Sequence, residues 1–556
     1  MANHQRERQI AEILLRHGME YLVGMLGLDR LVSLERRVLG RAPAEGLPTR
    51  PEDLRLALEE LGPTFIKLGQ VLSTRADLLP QEYQDELAKL QDAGPRIPAA
   101  EVQEIIDREL GDDGSPAFAS FDSEPLAAAS IGQAHAATLQ DGTEVVLKIR
   151  RPGVVETVEQ DLEIVRNLAA RAGRRWETAA RYDVVALAEE FADALRAQLD
   201  YLREGRNADR FAANFAGDDD VLIPRVFWEL TTSSVITLER LRGLKINDVT
   251  ALDAAGVDRH ALAERSAGVT AKMVFEDGFF HADPHPGNFF IQSSGQIGII
   301  DFGLVGVLDD GLRDRLGKVL AAFVRERPGP LADALLALGT SAGPVDRAQL
   351  SRDLDELLRS YVGRGLGEIA LGRVLGDLFG IVRRHRLRVP PDLALLVGTI
   401  AISEGIMAQV DPQFQYSEAL APHVRRQLLA SLSPAAVGRR LEQVALDFEE
   451  LAVDFPGQLH RVLDVLASGG LEVHVRAAEL EPLLARAERL GNRIARSVLL
   501  AAAIDGLAEL AAADRARGRS WPAPRRPVVL AAVAAVGGYG ALRRSLRRRR
   551  PPWTDR

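Results

Sequence analysis

The chain has 556 residues, a formal net charge of −10 and a sequence pI near 5.7. This length predicts several domains, and a hydrophobic fraction of 46% is enough for a large core. The acidic balance argues against general nucleic-acid binding, and the lack of cysteine excludes disulfides, thiol catalysis and cysteine-based zinc sites. The first residues contain no apolar run of signal-peptide length, so we expect the catalytic part to stay in the cytoplasm.

Residues 1–115 predict a helical N-terminal extension. Ile10, Ile13, Leu14 and Tyr21 fall near a helical repeat, and we expect residues 1–50 to be helical and peripheral. Further on, Lys67-Leu68-Gly69-Gln70 lies in a helical stretch, where Lys67 and Gln70 are three residues apart and share one side. By composition alone, this lysine would be an ordinary solvated one.

A small-residue loop, Ala127-Ala128-Ala129-Ser130, follows the extension and precedes a strand signal. Phosphate-binding loops in this position, before a strand, are often rich in glycine, because their backbone N–H groups must approach the phosphates closely. Alanine resists positive φ, so this loop should be stiffer. Taken alone, the pattern fits a plain small-residue loop equally well.

Asp141-Gly142 predicts a hairpin turn that leads into a largely apolar strand over residues 144–149. Lys148 lies within this strand, and burying its charge without a partner would be costly. The alternative is an edge-strand lysine that reaches solvent. A helix over residues 185–211 is the candidate to present a carboxylate to the lysine.

Residues 234–241 predict a strand that runs into a polar link containing Glu239 and Leu241. Residues 258–278 then predict a long helix, with Asp258 as its N-cap. This helix would deliver the next loop, which carries the candidate catalytic residues.

In that loop, Asp283 and Asn288 form the pattern D-x-x-x-x-N, and Asp301 opens Asp301-Phe302-Gly303. Two short apolar runs separated by a turn lie between them, which predicts a hairpin that brings Asn288 and Asp301 to one end. Mg²⁺ prefers such oxygen ligands, and Asp283 is placed to accept a proton from a hydroxyl or to orient a water. The alternative is a buried polar hairpin whose side chains satisfy turn backbone.

The chain after Leu304 is predicted to be helical almost throughout, and no A-P-E pattern follows D-F-G. Near the C-terminus, residues 497–504 are apolar but are followed by acidic residues, and residues 527–542 are uncharged and followed by arginines. The second run is short for a membrane span, which needs about 20 residues. Its glycines and arginines favour membrane association, and a solvated basic tail is the alternative.

These motifs resemble the UbiB family of atypical protein-kinase-like proteins, over about residues 50–420. The resemblance implies an α+β, protein-kinase-like two-lobe fold with a helical N-terminal extension and a mostly helical C-terminal region. The expected regions are residues 1–115 for the extension, 116–242 for the small lobe, 243–430 for the large lobe, 431–520 for a helical region and 521–556 for a hydrophobic segment and basic tail.

The resemblance also implies roles for the site residues. Lys148 would grip the phosphates of ATP or ADP, with Glu204 orienting it, and Asp283 would position the nucleophile. Asn288 and Asp301 would hold Mg²⁺. The nucleotide would contact an alanine-rich loop and the backbone of the link between the lobes, at Ala127, Ala128, Ala129, Ser130, Glu239 and Leu241. Lys67 and Gln70 would project over the site, blocking a protein substrate and leaving room for a small one.

The sequence departs from the family at Gln198, where the family usually has a glutamate in a Glu-x-Asp pattern. A charged link from Lys67 to this helix would then weaken to a hydrogen bond, or Asp200 would take it over. The departure puts in doubt how firmly the extension is held, while leaving the fold unaffected.

The resemblance implies an ATPase or a small-molecule or lipid phosphotransferase that supports isoprenoid-quinone or related lipid metabolism. Its expected partners are an isoprenoid-quinone-like lipid, quinone-biosynthesis enzymes and a membrane surface, with no nucleic acid. We expect it on the cytoplasmic side of the membrane, attached by the C-terminal segment. The alternatives are a kinase with a true phosphoacceptor and a nucleotide-gated, non-catalytic scaffold.

Overall fold

The computed structural model describes residues 2–31, 50–73, 75, 78–90, 94–111, 118–175, 183–341, 345–361 and 371–431. The predicted helical region beyond residue 431 and the hydrophobic segment and basic tail lie outside these residues.

The N-terminal extension is helical, as predicted. Its helices are α1 (Ala2–Arg16), α2 (Glu20–Met25), α3 (Pro51–Leu61), α4 (Pro63–Ser73), α5 (Gln81–Leu87) and α6 (Ala99–Leu110). Ile10 and Ile13 are each 1% exposed and belong to a hydrophobic core shared with α3, α4 and a later helix. The apolar stripe of the first helix therefore packs into the extension, and its peripheral position stays a prediction.

An antiparallel sheet forms the small lobe. Its strands are β1 (Ser120–Phe121), β2 (Ala127–Ala128), β3 (Gly132–Thr138), β4 (Glu144–Arg150) and, after β5 (Val221–Leu222), β6 (Val235–Glu239). The order is β1-β3-β4-β6, with β2 also paired to β3. Val145, Leu147 and Ile149 are fully buried on one face of β4, which leaves Lys148 on the opposite, partly open face.

Three helices connect the small-lobe strands: α7 (Val154–Arg175), α8 (Val184–Leu199) and α9 (Tyr201–Asn214). The single helix predicted over residues 185–211 is interrupted at Asp200, whose backbone is extended. The Asp200 carboxylate accepts a hydrogen bond from the Leu202 N–H at 3.1 Å and so begins a new helix as its N-cap.

The large lobe is mostly helical, with several short strands. Its elements are β7 (Leu244–Lys245), α10 (Val249–Ala254), α11 (Arg259–Ala271), β8 (Phe279–His281), β9 (Phe289–Ile291), β10 (Ile297–Ile299), β11 (Val305–Val307), α12 (Asp310–Val324), α13 (Pro328–Leu338), β12 (Thr340–Ser341), α14 (Arg347–Tyr361), α15 (Leu371–Arg384), β13 (Leu387–Arg388), α16 (Pro391–Val410) and α17 (Tyr416–Ser431). The Asp258 carboxylate caps α11, as predicted.

The predicted hairpin is formed by β9 and β10, which pair antiparallel with Phe289 opposite Ile299. Asn288 immediately precedes β9, and the Ile300 N–H donates to its carbonyl at 3.1 Å. Asp301 follows directly. The hairpin therefore carries Asn288 and Asp301 to the same end, as the apolar pattern predicts.

One described helix, α16, is long and apolar enough to cross a membrane by length and composition. Its Leu393, Leu396 and Met407 are buried in the large-lobe core. Its buried Thr399 donates a hydrogen bond to the His281 carbonyl at 3.2 Å. These contacts are those of a core helix supporting the loop that begins at His281.

Candidate active site

Lys148 lies between two carboxylates. Its ammonium group donates a hydrogen bond to Glu204 and another to Oδ2 of Asp301, the latter at 2.9 Å. The Lys148 and Glu204 side chains are 17% and 5% exposed. The burial of the lysine is thus compensated by ion pairs, as predicted, and Glu204 is the partner that the family resemblance selected. The second carboxylate, Asp301, belongs to the large lobe, so its bond to Lys148 joins the two lobes.

These ion pairs control the protonation of the three groups. Burial favours the neutral lysine, but the two carboxylates outweigh it and hold the pKa of Lys148 above its ordinary value. Burial also favours the neutral form of Asp301, yet the Lys148 charge and the Gly303 N–H hold the pKa of Asp301 well below its usual range. Burial raises the pKa of Glu204, with Lys148 opposing and Asp301 adding to the shift.

His281 joins the D-F-G segment to the loop that carries Asp283. The Asp283 N–H donates to Nδ1 of His281 at 3.2 Å, so the imidazole accepts there and its Nε2 donates to the Asp301 carbonyl. Burial lowers the pKa of His281, which favours this neutral form. The histidine therefore fixes the backbone at both Asp283 and Asp301.

Two hydrogen bonds to the Asp283 carbonyl hold the loop from Asp283 to Asn288 in shape. That oxygen accepts hydrogen bonds from the His285 N–H at 2.7 Å and from Nδ2 of Asn288 at 3.1 Å. Because Nδ2 of Asn288 is engaged, its amide oxygen is the atom left to act as a ligand. The Asp283 side chain is exposed, so a reacting group can reach it.

The donor set fits Mg²⁺. Asp301 and Asn288 offer a carboxylate and an amide oxygen, and protein Mg²⁺ sites commonly use one or two such ligands together with substrate phosphates. Within the described ranges, no cluster of three or more His, Asp or Glu residues could hold a metal without such help. The residues present therefore suit a metal that arrives with a phosphorylated ligand.

The alanine-rich loop is held by Arg151. Ala127 and Ala128 form β2, and the loop returns through Gly132 into β3. The Arg151 guanidinium donates to the carbonyls of Ala129 at 3.1 Å, Ser130 at 3.3 Å and Pro95 at 2.6 Å. These three bonds tie the loop to the extension, and the predicted stiffness of the loop stays a prediction.

The link between the lobes leaves β6 after Glu239. The Arg240 N–H donates to the Glu144 carbonyl at 3.0 Å, and the Arg242 side chain forms two hydrogen bonds with the Glu144 carboxylate. Within the described part of the chain, the Leu241 N–H has no hydrogen-bond partner. That group is therefore open to a ligand, and its role in reading adenine stays a prediction.

The Lys67-to-Gln70 motif lies on α4. The Gln70 Nε2 group donates a hydrogen bond to the Leu90 carbonyl at 3.1 Å, within the extension. A Cβ on Gly69 would lie 2.3 Å from a Leu90 methyl and 2.9 Å from a Leu58 methyl. The motif thus fixes the packing of α4, and its occluding role stays a prediction.

The neighbourhood of Gln198 differs from the expected charged pattern. The side-chain oxygen of Gln198 is buried without a hydrogen-bond partner. Asp200 caps α9 and lies 3.6 Å from the Arg206 guanidinium. An unsatisfied buried carbonyl costs stability, so Gln198 is a weak point at the end of α8.

The sequence did not single out Asn207 or Arg151. Asn207 donates to the Phe302 carbonyl at 2.9 Å, one turn beyond Glu204 on α9. The signal available for Asn207 was its i, i+3 spacing from Glu204, which places both on one face. For Arg151, the signal was a cation directly after a buried strand.

The two-lobe fold, with Lys148 paired to a helix glutamate and to the D-F-G aspartate, defines an atypical protein-kinase-like protein. Residues 89–328 match the ABC1 atypical kinase-like domain, and residues 354–415 match the UbiB helical domain. A Xanthomonas oryzae pv. oryzae protein named "Probable protein kinase UbiB" is 34% identical over 505 residues, or 89% of this chain and 91% of that protein. The chain belongs to the UbiB family.

Other similar proteins include a Xylella fastidiosa protein of the same name, 33% identical over 89% of this chain and 91% of that one. An uncharacterised Synechocystis protein is 34% identical over 78% of this chain and 75% of its own length. A solved structure of Rv3197 with erythromycin, from Mycobacterium tuberculosis, is 28% identical, with a TM-score of 0.47, covering 66% of this chain and 94% of that one.

Proposed function

We propose that the protein binds ATP with Mg²⁺ and either hydrolyses it or transfers its terminal phosphoryl group to a small molecule or lipid. The observation that carries the proposal is the contact of Lys148 with both Glu204 and Asp301. Kinase-like sites need a lysine oriented by a glutamate beside the metal-binding aspartate of D-F-G. All three groups are present and in contact.

Each residue has a chemical task in this proposal. Lys148 would neutralise phosphate charge, and Glu204 would hold the lysine in position. Asp301 and Asn288 would hold Mg²⁺, which supplies charge neutralisation at the phosphates when bound. As the attacking oxygen bonds to the terminal phosphorus and the bond to ADP breaks, the exposed Asp283 carboxylate would accept the proton of the attacking hydroxyl or orient a water.

The proposed setting is isoprenoid-quinone or related lipid metabolism at the cytoplasmic face of a membrane. The support is family membership together with the apolar and basic segments near the C-terminus, which lie outside the described residues. The intact Asp283, Asn288 and Asp301 favour a catalytic role over a nucleotide-gated scaffold.

The experiment measures Mg²⁺-dependent ATP binding and phosphate release by the full chain, with and without anionic liposomes. We expect the wild type to turn over ATP, more so with lipid, and Asp301→Asn to be inactive. Asp219→Asn, at an exposed surface position, is the matched control and should behave as wild type. Nucleotide binding absent from the wild type would refute the proposal. Phosphate on an added acceptor, rather than free, would identify a transferase.

A further inference from the structure

A large apolar cavity lies between the extension and the small-lobe helices. Its volume is about 520 Å³, within the range of small-molecule sites. The walls come from helices of the extension (α1 to α4), from α7 and α8, and from the start of α16. Packed protein cores tolerate few voids larger than a water molecule, so an apolar space of this size is better explained as a binding site.

The cavity follows helix α8 over most of the length of that helix. Its lining residues on α8 run from Val184 to Ala197, a distance of about 20 Å at 1.5 Å per residue. The residues that line this stretch and the walls facing it are almost all apolar, which suits an extended hydrocarbon chain. An apolar wall of this length suits a ligand that has a long apolar chain.

One end of the cavity reaches the D-F-G segment. Gly303, Leu304 and Val305 line it there, directly after Asp301. Arg203 also lines the cavity, and it precedes Asn207 by one helical turn on α9. Because Asn207 bonds to the Phe302 carbonyl, Arg203 lies at the same D-F-G end.

Charge is concentrated in a few places on these walls. Among the described lining residues, only Arg75, Glu190 and Arg203 are charged. Arg75 and Glu190 form an ion pair at 2.6 Å, which neutralises both. Arg203 is exposed and makes no ion pair with any described residue. The D-F-G end therefore offers a cation to a polar or acidic head group.

We propose that this cavity binds one long hydrocarbon or isoprenoid chain of a lipid-like molecule, with its polar head beside Arg203. The inference deepens the proposed function and rests on it, in that it places the apolar part of the small-molecule substrate next to the phosphoryl-transfer site. The binding itself needs no nucleotide, so it can be measured separately from ATP turnover.

The test is photo-crosslinking of the purified full-length chain, kept in a sterol-based detergent. Two probes each carry a diazirine: a linear palmitic acid and a branched geranylgeraniol, which distinguish an acyl from an isoprenoid source. Peptide mapping by mass spectrometry should place the adducts on residues 165–172 and 184–197. An excess of the unlabelled compound should remove them.

Two variants of α8 form a matched pair. Ala194→Phe adds a ring inside the cavity, whereas Asp193→Phe adds the same ring at an exposed position one residue earlier. We expect Ala194→Phe to reduce labelling at least about tenfold and Asp193→Phe to leave it unchanged. Ala169→Phe, on α7, fills the cavity from the other wall and replaces Ala194→Phe if that variant does not fold.

Arg203→Gln should weaken labelling by the palmitic acid probe more than labelling by the alcohol probe, because only the acid carries a charge for the arginine. Labelling that ignores the ring substitutions, or that falls only on residues 441–556, would overturn the inference. A wild-type cavity that takes neither probe, because a segment of the chain itself fills it, would also overturn it. Asp301→Asn should still be labelled, so loss of ATP turnover and loss of lipid binding are separate outcomes.

Discussion

The ammonium nitrogen of Lys148 lies 2.9 Å from Oδ2 of Asp301, so a strand of the small lobe is joined directly to the D-F-G segment of the large lobe. Glu204 completes the arrangement from α9. The lysine thus links three separate parts of the chain, and its removal should affect both stability and nucleotide binding.

We expect Lys148→Met to lower the free energy of unfolding by about 3–5 kcal/mol, because Glu204 would be left buried without a counter-charge. ATP turnover should also be lost. Chemical denaturation and phosphate release measure the two effects. Lys245→Met, at an exposed lysine of β7, is the control, and adding Glu204→Leu to Lys148→Met should restore stability without activity. A stable Lys148→Met protein would show that the pair carries little energy.

Gly132→Ala should disrupt the turn of the alanine-rich loop. A Cβ at this position would lie 2.6 Å from the Ile149 carbonyl oxygen and 2.6 Å from the Tyr201 hydroxyl. The backbone contact cannot be relieved by a side-chain rotation, so we expect a loss of about 1–3 kcal/mol in unfolding free energy. Gly268→Ala, a helical glycine with open space around it, is the control and should be neutral or slightly stabilising. Equal effects at the two glycines would contradict the close strand packing.

Arg151→Gln should loosen the alanine-rich loop, because the three carbonyls that share the guanidinium would lose their donor. We expect ATP affinity to fall by about three- to tenfold, with little change in turnover at saturating ATP. Titration calorimetry with nucleotide measures the effect. Arg96→Gln removes an exposed arginine paired with Glu124 and should have no effect. Unchanged affinity in Arg151→Gln would mean that the loop does not depend on this arginine.

The contact between His260 and Asp411 predicts a pH-dependent contribution to stability. Nδ1 of His260 lies 2.8 Å from the Asp411 carboxylate, which raises the pKa of the histidine, and the histidine lowers the pKa of Asp411. The histidine contributes stability below its unfolded pKa, and that contribution is lost as the pH rises through the higher folded value. The aspartate contribution is lost only at acidic pH, as the pH falls through its depressed folded pKa.

Thermal unfolding of wild type and His260→Gln tests this pH dependence. The difference between their midpoints should be largest near about pH 6 and should vanish near about pH 9. Because the histidine is exposed, we expect the difference to be small. A difference that persists at alkaline pH would point to lost packing instead of lost charge.

The chemistry-bearing residues were the most predictable part of the site. Asp283, Asn288 and Asp301 stand at fixed distances along a hairpin whose apolar runs are plain in the sequence, and the structure brings Asn288 and Asp301 to one end of it. Lys148 was identifiable because a charge inside an apolar strand requires a partner. The choice of Glu204 came from the family resemblance.

Features that depend on tertiary packing were not predictable. The helix break at Asp200 occurs because its side chain caps the next helix. An aspartate within a helical pattern can either continue the helix or cap a new one, and the sequence does not distinguish the two. Arg151 bridges the loop to Pro95, which lies 56 residues before the arginine in the chain. The cavity arises where several amphipathic helices fail to fill the space between them, which no single helix encodes.

Helix α9 holds Glu204 and Asn207 on one face, so the same rigid body contacts the Lys148 ammonium group and the Phe302 carbonyl. The backbone amides of α9 and of residues 301–303 should therefore exchange their protons with solvent in one cooperative opening event. In hydrogen–deuterium exchange, the two segments would share one opening free energy, and Asn207→Leu would separate them. Partial loss of the site would then be rare, since a molecule would have either all of these contacts or none of them.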